Sequence, residues 1–263
     1  MTFKYTLLLV FVLAGITTSA QEKVPAEMPD TNFHIYLLMG QSNMAGRGKV
    51  EGAFLERSHE RVLVLNKRKE WVGARNPLHF DKPKVAGVGP GLTFGIKMAK
   101  ANPDVRIGLV PCAVGGTSIN LWQAGAFDKV TKTHPYDDAL VRIKEAMKTG
   151  VVKGIIWHQG ESDSRPGASE TWLKKLAVLV DHIRQETGND SLAFVAGELG
   201  RYKENYQSIN REMERLPDVI PFSVVVSSRG LRHKGDGTHF NSPSARKLGK
   251  RFARAMRKLT TRQ

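Results

Sequence analysis

Residues 33–46 read FHIYLLMGQSNMAG, and this stretch decides the fold. Its first half, residues 33–39, is a short and almost wholly apolar run. Such a run is typical of a strand buried on both faces at the centre of a parallel sheet. The polar segment 40–46 follows directly. Ser42 is therefore expected at a turn between a strand and a helix, where its hydroxyl can be exposed.

The rest of the chain alternates between strand-like and helical patterns. Further strands are predicted at residues 61–65, 105–110, 154–157, 192–196 and 222–226, and helices at 92–101, 136–148, 169–186 and 202–215 and after Ser242-Pro243. This alternation predicts an α/β fold: a three-layer αβα sandwich with a mostly parallel central sheet of about five strands, flavodoxin-like in arrangement. Residues 66–90, rich in Gly, Pro and Lys, are expected to form a surface excursion near the site rather than a domain linker.

The first twenty residues have the pattern of a cleaved signal peptide. Lys4 is followed by a short apolar core at residues 7–16 and by small residues ending at Ala20. The apolar core is shorter than the roughly 20 residues needed to cross a bilayer, so no stable membrane insertion is expected. The predicted organisation is a signal peptide at 1–20, a lead-in at 21–32 and a single domain at 33–263, exported to the periplasm or the medium.

The composition is strongly basic, with 40 Lys and Arg against 25 Asp and Glu and a formal net charge of +15. This balance favours acidic partners. Eight of the basic residues lie within residues 237–263, where there is no acid, and apolar residues recur among them at helical spacing. That pattern predicts a C-terminal amphipathic helix with a solvated basic face. No nucleic-acid motif accompanies the charge, so a nucleic-acid function is excluded. The single cysteine, Cys112, excludes an intramolecular disulfide.

Four short polar blocks follow strand-like segments: GQSN at 40–43, GGTS at 115–118, HQGESD at 158–163 and DGTH at 236–239. Ser42 in the first block can be a nucleophile, although a helix-capping serine is equally consistent with it. Adjacent glycines let the backbone approach a ligand closely. In the last block, Asp236 can hold one ring nitrogen of His239 while the other faces a serine. Gln159 could donate an amide hydrogen to an oxyanion.

Together these blocks resemble the conserved blocks of the SGNH hydrolase superfamily. More narrowly they are similar to the branch that holds carbohydrate esterase family six, the acetylxylan esterases, and sialate O-acetylesterase-like proteins. Most of the superfamily has Asn at the position of Gln159, whereas that branch has Gln there. The resemblance implies a serine esterase that removes O-acetyl groups from a carbohydrate, such as acetylxylan, through an acetyl-serine intermediate and without a cofactor. The N-terminal pattern predicts that this esterase is exported.

The resemblance also implies a role for each matching residue. Ser42 would be the nucleophile, His239 the general base and Asp236 the residue that orients it. The oxyanion hole would consist of the backbone amides of Ser42 and Gly116 (or Gly115) and the side chain of Gln159.

Several assignments stay open on the sequence. Glu161 could offer His239 a second carboxylate, or could order its own loop. Possible sugar contacts are Gly115, Asn120, Trp122 and Arg47, with a packing role for Trp122 equally consistent. The remaining histidines lack ligand spacing, so no metal site is expected. The alternative functions are a sialate O-acetylesterase, a lipase- or thioesterase-type relative, and a non-catalytic glycan-binding relative. The sequence does not indicate the oligomeric state.

Overall fold

A computed structural model of the protein describes residues 28–52 and 58–261, and the predicted signal peptide lies outside these residues. The described chain forms a seven-stranded sheet with the order β3-β2-β4-β1-β5-β6-β7. The strands are β1 (Asp30–Gly40), β2 (Val62–Leu65), β3 (Trp71–Gly73), β4 (Arg106–Pro111), β5 (Gly150–His158), β6 (Ala193–Gly197) and β7 (Ser223–Val226). The α-helices are α1 (Ser42–Ala45), α2 (Gly91–Ala101), α3 (Pro135–Met147), α4 (Ala168–Thr187), α5 (Gln207–Glu214), α6 (Leu216–Val219) and α7 (Ser242–Thr260).

Strand β1 lies at the centre of the sheet, between β4 and β5, and pairs with both in parallel. Its side chains alternate between two apolar clusters, one on each face of the sheet. Ile35 and Leu37 belong to one cluster, and Tyr36 and Leu38 belong to the other. These residues are almost completely buried. The predicted central strand is therefore confirmed, and its continuous apolar run reflects burial on both faces.

Helices cover the two faces of the sheet. Helices α2 and α7 pack on one face through residues such as Phe94 and Phe252. Helices α3 to α6 pack on the other through residues such as Ile143, Trp172 and Ile209. The three-layer αβα architecture predicted from the sequence is confirmed.

The sheet has seven strands rather than about five. Six of them correspond to the predicted strand segments, and the seventh is β3, which pairs antiparallel with β2 inside the stretch expected to be irregular. Three residues are too few to show an alternating pattern, so β3 has no signal in the sequence. Trp71 is held by tertiary contacts: its ring lies edge-on to Phe33 at 4.8 Å, and its indole donates a hydrogen bond to Thr149 at 2.9 Å.

Several predicted boundaries also differ; β5, for example, begins at Gly150 instead of residue 154. Strand β1 begins at Asp30, within the predicted lead-in, and Asp30 forms an ion pair with Arg106 on the neighbouring strand at 3.0 Å. The single helix predicted at 202–215 is shorter: α5 begins at Gln207, and a separate helix α6 follows with Pro217 in its first turn. Among the described helices, none combines the length and apolar character needed to span a membrane.

Candidate active site

The polar blocks converge at one edge of the sheet. Residues 40–43 follow β1, residues 115–118 follow β4, and residues 158–163 follow β5, which are adjacent parallel strands. The carboxyl ends of parallel strands share one edge, so these loops lie side by side, where such folds place their ligands. The fourth block, residues 236–239, lies between β7 and α7 and reaches the same edge through His239.

Ser42, His239 and Asp236 form a continuous hydrogen-bonded relay. Ser42 is the first residue of α1, and its hydroxyl lies 3.0 Å from Nε2 of His239. Nδ1 of His239 lies 2.7 Å from Oδ2 of Asp236. In this arrangement His239 can accept the proton of Ser42, while Asp236 holds the ring in the required orientation.

The surroundings of Asp236 favour its ionised form. Partial burial acts to raise its pKa, but hydrogen bonds from His239 and from the Thr238 backbone outweigh this and hold the pKa well below its usual range. The backbone N–H of His239 donates to Oδ1 at 2.8 Å, while the ring faces Oδ2. Asp236 therefore positions both the loop and the imidazole.

Two backbone amides are available as donors to a developing oxyanion. Gly116 has a φ of +89°, a conformation that L side chains rarely adopt. Within the described part of the chain, the N–H groups of Ser42 and Gly116 donate to no protein acceptor. The N–H of Gly115 is occupied, because it donates to Oδ2 of Asp81 at 2.8 Å. Of the two glycines that the sequence left open, Gly116 is the one with a free amide.

The side-chain amide of Gln159, which the resemblance assigned to the oxyanion hole, is hydrogen-bonded within the protein. Gln159 is completely buried, and its two amide hydrogens are directed to the backbone oxygen of Thr117 and to Oδ2 of Asp163. Its amide oxygen accepts a hydrogen bond from the indole of Trp172 at 2.7 Å. The first two contacts use both hydrogens of the side-chain amide, and the third uses its oxygen. Gln159 therefore ties its own loop to the 115–118 loop.

Glu161 contacts Asn43, and Asp236 is the carboxylate hydrogen-bonded to His239. Nδ2 of Asn43 donates to Oε1 of Glu161 at 2.6 Å and to the backbone oxygen of Thr238 at 3.1 Å. Oδ1 of Asn43 accepts from the backbone N–H of Phe240 at 2.9 Å. Asn43 is thus hydrogen-bonded to the backbone on both sides of His239, and Glu161 orients Asn43. The sequence placed Asn43 in a block but did not indicate this clamp.

Most of the expected sugar-contacting side chains are buried instead. Arg47 forms a buried ion pair with Asp81 at 2.6 Å. Trp122 packs edge-on against Trp157 at 5.2 Å and is 3% exposed, so its role is in the core. Asn120 is exposed and accepts a hydrogen bond from Lys175 at 2.7 Å. Asp81 lies in the stretch 66–90, which was expected near the site, although no sequence signal singled out Asp81 itself.

The chain is similar in sequence and in fold to known proteins. A family model described as carbohydrate esterase, sialic acid-specific acetylesterase, matches residues 32–258. The probable carbohydrate esterase At4g34215 of Arabidopsis thaliana is 30% identical over 266 residues, covering 92% of this chain and 96% of the relative. The solved structure of that Arabidopsis protein has a TM-score of 0.77 at 29% identity, covering 87% of this chain and 99% of that one.

Two more distant structures share the fold. NanS aligns with a TM-score of 0.72 at 17% identity, covering 90% of this chain and 100% of that one. XAC1771, a carbohydrate acetylesterase from Xanthomonas citri, aligns with a TM-score of 0.68 at 19% identity, covering 87% of this chain and 57% of that one.

Proposed function

The chain belongs to the carbohydrate esterase family of sialic acid-specific acetylesterases, and we propose that it removes O-acetyl groups from a carbohydrate by serine catalysis. The observation that carries the proposal is the relay from Ser42 through His239 to Asp236, with distances of 3.0 and 2.7 Å. The family supports a carboxylic ester hydrolase, and the relay supplies a nucleophile and a base to perform the hydrolysis.

The proposed reaction has two halves that use the same groups. In the first, His239 takes the proton of Ser42 as the hydroxyl oxygen attacks the acetyl carbonyl carbon. The N–H groups of Ser42 and Gly116 stabilise the negative oxygen, and the sugar oxygen leaves with the proton from His239. In the second half, water gives its proton to His239 and attacks the acetyl-serine. Acetic acid leaves and ionises to acetate, and the proton held by His239 returns to Ser42.

The partial exposure of the relay supports a large substrate. The side chains of His239 and Asp236 are 25% and 35% exposed, so the base and its partner lie at the protein surface. An acetyl group projecting from a glycan can approach such a site without the whole sugar entering a closed cavity. Acetylxylan and O-acetylated sialosides both meet this requirement, and the family description favours the sialosides.

Acetate release from a panel of acetylated xylan, acetylated neutral oligosaccharides and O-acetyl sialosides tests the proposal. The wild-type protein should release acetate from at least one class. The Ser42→Ala variant should lose the activity by several orders of magnitude, on the order of 10⁶-fold where a serine nucleophile is removed. Hydrolysis of long-chain nitrophenyl esters in preference to acetyl esters would favour the lipase-type alternative instead. Glycan binding without hydrolysis, unchanged in Ser42→Ala, would favour the non-catalytic alternative.

Export belongs to the same proposal. It is supported by the pattern of Lys4, the apolar core at 7–16 and the small residues ending at Ala20. The mature protein recovered outside the cytoplasm should begin at Gln21. Recovery of an uncleaved chain from the cytoplasm alone would contradict export and would leave the esterase proposal in place.

A further inference from the structure

The two helical layers of the molecule carry opposite charge. Helices α2 and α7 together contain nine lysines and arginines and no acidic residue. Helices α3 to α6, on the opposite face of the sheet, contain six lysines and arginines against nine acids. Among the helices, the basic excess is therefore concentrated on one face of the sheet. We call this surface the cationic face and define it as the outer surface of α2 and α7.

A groove of about 370 Å³ lies between the two helices of the cationic face. Its charged lining consists of Lys97 and Lys100 from α2 and Arg246 and Lys250 from α7, beside the ring of His59. None of the lining residues that the structure describes is acidic. Lys97, Lys100 and Lys250 are exposed, and no described carboxylate pairs with them. Side chains one helical turn apart are about 5–6 Å from each other. That separation is less than the Debye length of about 8 Å at physiological ionic strength, so their fields add.

The cationic face begins at the active-site edge. Helix α7 starts at Ser242, three residues after His239, so their Cα atoms are at most about 11 Å apart. The hydroxyl of Ser242 also donates to the backbone oxygen of Lys49, in the chain that follows the Ser42 loop, at 2.7 Å. From there the 19 residues of α7 extend about 28 Å away from the site. A polymer held on this face can reach the relay with one of its residues.

The surface chemistry distinguishes between classes of polyanion. The exposed large apolar residues of the described chain all lie outside α2 and α7. The cationic face therefore lacks the apolar side chains that an interfacial helix inserts into a bilayer. It also lacks exposed aromatic rings on which nucleic-acid bases would stack. What remains is a row of separated charges, which suits a hydrophilic polymer with repeated carboxylates.

We infer that the cationic face binds an acidic polysaccharide and holds it beside the relay. The second part of this inference, the position beside the relay, rests on the proposed function. The ligand class is a glycan with a carboxylate on successive sugars. Its acetyl esters would reach Ser42 from a chain anchored by the lysines and arginines of α2 and α7. The face contributes affinity and encounter rate, because clefts of one charge sign raise association rates by about 10- to 1000-fold.

The test compares two triple variants of equal charge change. The face variant is Lys97→Glu/Lys100→Glu/Lys250→Glu. Its matched control, on the opposite layer, is Lys144→Glu/Lys174→Glu/Arg211→Glu. Binding to polygalacturonate is measured in the Ser42→Ala background, with neutral dextran and vesicles of anionic lipid as the other probes. Hydrolysis of acetylated polygalacturonate and of 4-nitrophenyl acetate is measured with Ser42 intact.

The face variant should bind polygalacturonate at least about tenfold more weakly, and its KM for the acetylated polymer should rise by a similar factor. Its kcat on 4-nitrophenyl acetate and the polymer affinity of the control should both stay unchanged. An unchanged face variant, an equal loss in the control, or binding to anionic vesicles but not to polygalacturonate would each overturn the inference. If the wild type releases no acetate from any carbohydrate, the proposed function fails, but polymer binding by the Ser42→Ala protein still decides the role of the face.

Discussion

At the scale of single residues, two carboxylates lie close to the relay and do different work. Asp236 accepts hydrogen bonds from both the ring and the backbone of His239. The side chain of Glu161 is 4% exposed and accepts a hydrogen bond from Asn43, which in turn holds Thr238 and Phe240. Asp236 therefore contacts His239 directly, and Glu161 acts through the position of the loop that carries His239.

Exchanging each carboxylate for its amide separates these roles. Asp236→Asn should lower kcat by a factor on the order of 10²–10⁴, because the amide no longer stabilises the charged imidazole. Glu161→Gln keeps an oxygen that can accept from Asn43, so its kcat should fall less than about tenfold. Steady-state kinetics on a soluble acetyl ester measures both. A larger loss in Glu161→Gln than in Asp236→Asn would show that the orienting carboxylate is misassigned.

At the scale of elements, the 115–118 loop is held in place by a buried ion pair from elsewhere in the chain. The side chains of Arg47 and Asp81 are 4% and 2% exposed. Oδ2 of Asp81 accepts from both Arg47 and the backbone N–H of Gly115. One carboxylate thus joins the segment after α1, the 66–90 stretch and the loop that carries Gly116. The free amide of Gly116 depends on this anchor for its position.

A side chain at residue 115 should disturb that anchor. A Cβ at this position would lie 2.4 Å from Nη2 of Arg47 and 2.9 Å from Oδ2 of Asp81, so the ion pair or the loop must shift. We expect Gly115→Ala to lower kcat on the order of a hundredfold, the loss typical of one displaced oxyanion donor. Gly73→Ala, where a Cβ meets nothing within 4 Å, is the matched control. Wild-type kcat in Gly115→Ala would rule out this dependence.

At the scale of the whole molecule, a buried histidine links stability to pH. His79 is 4% exposed, and burial lowers its pKa to about 4. The unfolded chain takes up a proton at the ordinary histidine pKa of about 6.5, whereas the folded protein excludes it until about pH 4. The unfolded state therefore binds more protons in this window. Stability is lost as the pH falls from about 6.5 to 4, by up to about 3 kcal/mol from this group.

Denaturant unfolding at pH 7.5 and pH 4.5 tests this contribution. The free energy of unfolding of His79→Gln should fall less over this range than that of the wild type, because the variant lacks the titrating ring. The exposed His182→Gln serves as the control and should follow the wild type. An equal decrease in wild type and His79→Gln would exclude His79 as a source of acid sensitivity.

Much of this molecule is readable from local sequence signals. The apolar run at 33–39 predicts a central strand, because burial on both faces removes polar residues from a strand. The alternation of strand and helix patterns then predicts the layered α/β fold. The block that contains Ser42 and the pair Asp236 and His239 were also recognisable. Each of these features lies within a few residues, where spacing along the chain constrains spacing in the fold.

Only the tertiary structure decided the contacts that join distant segments. Asn43 and Glu161 are separated by 118 residues, and Asp81 and Gly115 by 34. The side-chain amide of Gln159 donates its hydrogen bonds to Thr117 and Asp163. The short strand β3 forms because of its packing and its pairing with β2. The residue type determines which hydrogen bonds a side chain can form, but the path of the folded backbone determines which partner lies within reach. The sequence by itself therefore determined the fold class and the polar blocks that meet at the site. The folded chain decided how the side chains of those blocks are held, because their partners lie far away along the chain.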